Sequence, residues 1–170
     1  MLTPTVFFID FEAFQHGSGD YIVKELCIID VIKPQKHLYY VYLPPRSWES
    51  LSHDVKRTFD YETKSLHKLT WQEGYTRFCS ECLRRDMETY LFATSSRKCS
   101  LFFTMGEQKA EFLQRLLPDC TVLNYQKAYD VASIKDLPPV PGHLRCPHRY
   151  HGDRCAYFKC VRMYLHYTTL

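Results

Sequence analysis

Glycine is scarce, at 6 of 170 residues, below the usual share of roughly 7%. That excludes collagen-like and glycine-rich linker sequences. No run approaches the roughly 18 apolar residues that a membrane-spanning helix needs, so no membrane partner is expected. There is no internal repeat and no low-complexity tract. No G-x-S-x-G nucleophile motif, P-loop or dinucleotide fingerprint occurs, so those catalytic and nucleotide-binding classes are not indicated. Residues 1–14 are apolar but carry Asp10 and Glu12, with no basic leader and no small-residue cleavage site. They do not read as a signal peptide. The expectation is therefore an intracellular protein, in cytoplasm or nucleus, whose thiols stay reduced.

Apolar residues make up 45% and charged residues 24%. That is a globular composition, and the length fits one domain over residues 1–170. Aromatics reach 15%, and there are eight Cys and eight His. Net charge is only +3, but it is uneven. Residues 1–136 carry 17 basic and 18 acidic side chains, whereas residues 137–170 carry five basic (Arg145, Arg149, Arg154, Lys159, Arg162) and one acidic, Asp153. A basic end suits a polyanion such as nucleic acid, and it equally describes an ordinary solvated helix face.

Residues 5–11 read as a buried strand, residues 21–32 as a second and residues 38–43 as a third, joined by short turns into an antiparallel meander. Residues 47–59 look helical with Ser47 as N-cap, and residues 72–87 form a second helix candidate. Residues 100–104 read as a strand, 107–117 as an amphipathic helix stopped by Pro118, and 121–124 as a last strand. Prolines at 138, 139, 141 and 147 mark a loop, after which Asp153 is expected to cap a final helix to about Tyr167. The order βββ, helices, β, α, β, α predicts an α/β domain with a mixed sheet, three antiparallel strands then parallel ones, flanked by helices.

Asp10 and Glu12 are two apart on the first strand, so both side chains share a face. Two adjacent carboxylates repel unless a cation neutralises them. Mg²⁺ or Mn²⁺ takes oxygen ligands in this way at phosphoryl-transfer sites. The segment Phe8-Ile9-Asp10-Phe11-Glu12 resembles the first motif of the DEDD 3′–5′ exonucleases, which have an RNase H-like fold. Leu66-His67-Lys68-Leu69-Thr70 is similar to that family's His-x-Ile-Thr segment. The resemblance implies Asp10 and Glu12 as catalytic metal ligands. It also implies two further acids, and here the chain departs from the pattern. Lys109 falls near the third acidic position, with Glu107 and Glu111 the nearest acids. Arg154 and Lys159 align with the last His and Asp. His148 and Asp153 have the right offset but precede the final helix, and Asp130 is a further acid that could complete such a site.

The segment from Cys146 to Cys155 packs two Cys and two His, His148 and His151, into ten residues. These are zinc-ligand types in a proline-rich loop, 143–155, that a metal would stabilise. Buried Cys and solvated His are the plainer alternative. A fourth ligand is needed. Val23, Glu25, Cys27, Ile29 and Val31 alternate onto one strand face, where a carboxylate without a partner is costly. Glu25 is therefore a candidate, with Cys27 in competition. This set resembles the Maelstrom domain, an RNase H-like relative of the exonucleases that has lost its catalytic carboxylates. That resemblance implies a structural zinc held by Glu25, Cys146, one of His148 or His151, and Cys155. Unlike that domain, the chain keeps Asp10 and Glu12.

Cys79-x-x-Cys82, Cys99, Cys120 and Cys160 read as core thiols. Lys159, Arg162 and His166 form a basic stripe on the last helix, interleaved with tyrosines. With Arg149 and Arg154 they make a candidate surface for RNA or single-stranded DNA. Three functions are expected to compete. The first is a degenerate exonuclease-like domain that binds nucleic acid around a structural zinc. The second is a working Mg²⁺- or Mn²⁺-dependent nuclease. The third is a zinc-stabilised module for a protein partner.

Overall fold

The computed structural model describes residues 4–17, 19–75, 80–94, 100–148 and 152–170. Its central strand is β1, Thr5–Gln15. Phe7, Ile9 and Phe11 point to one side and Phe8 to the other, and all four are fully buried. A strand apolar on both faces requires cover on both. β2, Tyr21–Asp30, pairs antiparallel with β1, and β3, Leu38–Val41, pairs antiparallel with β2. β4, Ser100–Thr104, runs parallel to β1, and β5, Thr121–Asn124, parallel to β4. The sheet order is β3-β2-β1-β4-β5. This is the α/β mixed sheet expected from the sequence.

On one face, α2 (Ser80–Thr94) and α3 (Glu107–Leu116) supply Leu83, Met87, Leu91, Ala110 and Leu113 to the layer holding Phe7, Ile9 and Phe11. On the other, α5 (Ala156–Thr168) supplies Ala156, Cys160, Val161 and Met163 beside Phe8, Cys27 and Ile29. A third cluster of Phe14, Leu51, Phe59 and Trp71 seats α1, His53–Glu62, which continues as one π-helical stretch, Thr63–His67. Much of the aromatic excess lies in these layers, as in the stacked pairs Phe7–Phe102 and Phe59–Trp71.

Several expected boundaries move, each for a local reason. Ser52, not Ser47, caps α1, its hydroxyl accepting from the Val55 N–H at 3.4 Å. Ser47 precedes only a 3-10 turn, Trp48–Ser50. Residues 72–75 are not helical. An additional short helix, α4 (Tyr125–Tyr129), starts where the Asn124 side chain accepts from the Gln126 N–H. Asp153 lies inside a 3-10 turn, Gly152–Arg154, and does not cap α5. Cys155 holds the N-cap position, but its side chain caps no helix amide. The Glu25 carboxylate, arriving from β2, accepts from the Ala156 N–H at 2.6 Å instead. A carboxylate there also complements the positive end of the helix dipole.

The register of β1 against β2 jumps from Glu12↔Glu25 to Ala13↔Val23, so Lys24 is the extra residue of a β-bulge. The bulge moves Val23 into the opposite layer from Cys27 and Ile29, which corrects the single face expected for Val23 through Val31. It also turns Lys24 inward. Its buried Nζ donates to the carbonyls of Tyr42 at 2.6 Å, Trp71 at 2.9 Å and Glu73. Burial pulls the Lys24 pKa down to about 8 against the opposing pull of Glu73, which leaves the ammonium charged at neutral pH. The lysine ties residues 71–73 over the end of β3. Gly74 completes the join. A Cβ there would lie 2.4 Å from the Tyr42 carbonyl oxygen, and its φ of +142° disfavours side chains. Tyr75 N–H then donates to Val41 O at 3.0 Å, covering the β3 edge.

At the other edge, Gln114 reaches from α3. Its Oε1 accepts from the Val122 N–H at 3.0 Å, and its Nε2 donates to the Leu117 and Cys120 carbonyls. Among the described residues, no helix is long and apolar enough to cross a membrane.

Candidate functional site

β4 accompanies β1 only over Thr5–Phe8. Asp10 and Glu12 therefore emerge just beyond the parallel part of the sheet, beside the point where chain order reverses, a favoured place for sites in open α/β sheets. Asp10 is fully buried and Glu12 is 12% exposed. Two lysines converge on them. Lys109, from α3, donates to Asp10 Oδ1 at 2.7 Å and also to the Phe11 carbonyl, and sits 3.7 Å from Glu12 Oε1. Lys159, from α5, donates to Glu12 Oε1 and lies 3.8 Å from Asp10 Oδ2. The two lysine side chains are 21% and 18% exposed. Two positive and two negative charges thus share one half-sealed site.

The electrostatics follow from this pairing. Burial alone would raise the Glu12 pKa, but Lys109 and Lys159, helped by His67, outweigh it and hold it below the ordinary value. Burial would lower Lys109, but Asp10 and Glu12 outweigh that and push it well above the usual lysine range. His67 is buried beside them, its Nδ1 accepting from the Leu69 N–H at 3.1 Å and its ring edge-on to Phe14. The remaining candidate acids have other company or other places. Glu107 pairs with Lys127 at 3.0 Å, and Glu111 lines the groove along β5. Asp130 follows α4 in a left-handed conformation, and Asp153 is in the turn before α5. Among the described residues, the charged side chains paired with Asp10 and Glu12 are Lys109 and Lys159.

The zinc candidates partly converge. Glu25 Oε1 lies 3.4 Å from Cys155 Sγ, and the Cys146 and Cys155 thiols are hydrogen-bonded to each other. That bond, burial and the Glu25 charge push the Cys155 thiol far above its ordinary pKa. The Cys146 thiol also contacts the His148 carbonyl, while the His148 ring turns towards Glu73, Nε2 to Oε2 3.8 Å. Tyr39, on β3, adjoins the same group. Its hydroxyl is buried with no hydrogen-bond partner among the described residues, and its pKa is driven up by burial and by Glu25, Cys155 and Cys146. Cys27, the competing ligand, sits with Cys160, whose thiol donates to the Cys27 carbonyl at 3.6 Å. His151 lies outside the described residues. Among the described residues, no three His, Cys, Asp or Glu side chains are arranged to hold a metal ion.

The basic stripe of α5 is dispersed. Lys159 faces Glu12, Arg162 donates to the Pro138 carbonyl at 3.0 Å, and His166 Nδ1 is 2.7 Å from the Tyr125 hydroxyl. Arg154 donates to the Ser65 carbonyl at 2.7 Å. Arg149 and Tyr150 lie outside the described residues, as do Cys79 and Cys99. Cys82 is disulfide-bonded, so a free core thiol at 82 is not what the structure has.

In the sequence, Lys109 and Lys159 align near acidic positions of the pattern it resembles, and their pairing with Asp10 and Glu12 was not expected from that alignment. A signal was present, since a lysine aligned with a metal ligand is itself a cation. Tyr39 and Lys24 gave no signal, because only the bulge and the β3 pairing reveal their burial. No protein-family model matches the sequence, and no curated protein matches it.

Proposed function

We propose that this chain is an RNase H-like, exonuclease-related domain that binds single-stranded nucleic acid, RNA or DNA, without cleaving it. The observation that carries this reading is the pairing of Asp10 and Glu12 with Lys109 and Lys159. A two-metal centre uses divalent cations to clamp the attacking and leaving oxygens of a phosphodiester. Here two lysine ammonium groups already neutralise both carboxylates, and a divalent ion would have to displace them. The sheet order and the position of Asp10 on the central strand support the kinship with nucleases. With Mg²⁺ or Mn²⁺ supplied, labelled single-stranded RNA and DNA should be retained intact, with binding that weakens steeply as salt rises. Metal-dependent cleavage abolished by Asp10→Ala would instead establish a nuclease. Absence of oligonucleotide binding would favour a protein-interaction module.

The same reading includes a structural zinc. Glu25, Cys146 and Cys155 are the types that bind it, with His148 or His151 as fourth ligand. The Cys155 thiol, hydrogen-bonded to Cys146 and pushed up by that bond, by burial and by the Glu25 charge, supports a cation that would take up that charge and displace the thiol proton. Elemental analysis of purified protein should find about one zinc per chain, as single-site structural zinc requires. Strong chelators or Cys155→Ser should lower Tm by several degrees. Metal-free protein with an unchanged Tm after chelation would show that zinc has no part in the fold.

A further inference from the structure

α1 ends unusually. Its last turn widens into the π-helical stretch Thr63–His67, closed by the Lys68 N–H donating to Thr63 O at 3.0 Å. Lys68 itself takes a left-handed conformation, φ +63°. The wider turn leaves the carbonyls of residues 64 and 65 open, and two cations cover them. Lys68 Nζ donates to Lys64 O, and Arg154 donates to Ser65 O at 2.7 Å. A helix carboxyl end carries roughly half a negative charge. Lys64, Lys68 and Arg154 together bring three positive charges to it, so this end is net positive. Each of Lys68 and Arg154 uses one donor here and has others to spare.

The surface around these cations is apolar and aromatic. Leu66 is 52% exposed and Tyr61 63% exposed. Tyr61, Lys64 and Lys68 are all exposed, and the Lys68 contact with Lys64 O keeps the two lysines together at the helix end. Of the nearby acids, Asp54 shares a hollow with Arg57 and Tyr61, and the other two are directed elsewhere. Glu62 is turned inward to the Gln15 N–H, and Asp60 faces a hollow shared with Trp48 and Gln72. The stretch also borders the carboxylate–lysine site, since its buried His67 acts on Glu12.

We propose that this carboxyl end of α1 is where a single-stranded nucleic acid docks. Lys64, Lys68 and Arg154 neutralise phosphates, and Tyr61 offers a face on which a base stacks. The inference rests on the nucleic-acid reading above and gives that reading a location away from α5. Loose electrostatic attraction of this kind, without base-edge readout, fits a strand of any sequence.

The test is fluorescence anisotropy with a labelled single-stranded oligonucleotide across a salt series. Lys64→Glu/Lys68→Glu should weaken binding at least tenfold and flatten the log–log salt dependence by about 0.7 for each phosphate no longer neutralised. Tyr61→Ala should weaken it several-fold with the salt slope unchanged. Lys64→Glu alone, at an exposed side chain, keeps the test valid if the double variant unfolds. Lys33→Glu/Lys36→Glu, in the turn between β2 and β3, carries the same charge change as a control. If wild type binds and the Lys64 variants behave like that control, the docking surface is wrong while the nucleic-acid reading stands. If wild type binds no oligonucleotide even at low salt, both fail.

Discussion

Lys109→Met should cost about 3–5 kcal/mol of folding stability, the range found when one partner of a buried ion pair is removed. Asp10 is fully buried, and Lys109 is its closest cation at 2.7 Å. Methionine fills similar space but leaves the carboxylate in a poorly hydrated site with only Lys159, 3.8 Å from its other oxygen. The size of the loss therefore comes from the stranded charge and not from reduced packing. Asp10→Asn in the Lys109→Met background should recover much of it, because a buried amide is far less costly than a buried carboxylate. Urea titrations of the two single variants and the double variant complete the cycle. A single-variant loss below about 1 kcal/mol, the level of an exposed ion pair, would mean that water reaches Asp10 and that the site is open enough for a metal to compete.

The pH dependence has a definite sign. Glu12 is held below its ordinary value, so its contribution is present above the unfolded pKa near 4.5 and fades as pH falls through the folded value. Lys109 is held above its ordinary value, so its contribution is complete below pH 10.5 and fades as pH rises through the folded value. The site should therefore be most stabilising between those limits. The Lys109→Met variant should lose the share of the alkaline limb that Lys109 supplies, leaving the share of the buried tyrosines Tyr39, Tyr42, Tyr90 and Tyr125, which burial also holds above their ordinary values.

Lys24→Met should be comparably severe. The substitution keeps an unbranched chain of similar length but removes every donor from a site where three carbonyls converge. Each buried carbonyl left without a partner costs about 1–3 kcal/mol, so a total of about 3–9 kcal/mol is expected for three. That approaches the whole stability of a typical domain, roughly 5–15 kcal/mol. Lys24→Arg should not rescue it, since a planar guanidinium cannot reproduce a tripod of acceptors around one nitrogen. Denaturant unfolding gives the magnitude, and hydrogen exchange at Tyr75 should rise first, because its N–H bond to Val41 depends on the tethered segment. Equal protection at Tyr75 in both proteins would show that Gly74 and β3 hold the segment without the lysine.

The strands along the chain were largely legible because β-branched and aromatic runs are local signals. β4 and β5 begin and end where their apolar runs do. The failures lie where distant residues decide. Asp153 has the chemistry of an N-cap, yet Glu25, 131 positions before Ala156, binds the first amide of α5. No local pattern announces that. Alternation along β2 predicted one face, but the bulge at Lys24 breaks the alternation between Val23 and Glu25. The shared face of Asp10 and Glu12 was readable from period-two geometry. What neutralises them was not, since Lys109 and Lys159 come from helices on opposite sides of the sheet. The basic stripe of α5 looked solvent-facing by spacing alone, but three of its members turn to separate partners.

A mixed sheet of five strands has two rims, and each open rim is a template on which another chain can polymerise. Here Tyr75 occupies one and the Gln114 amide closes the other at Val122. Gln114 acts as a stand-in for a sixth strand, supplying one acceptor where a neighbour's backbone would otherwise insert. Each rim of the sheet thus has, at one position, a group from the same chain where a neighbour's backbone would bond.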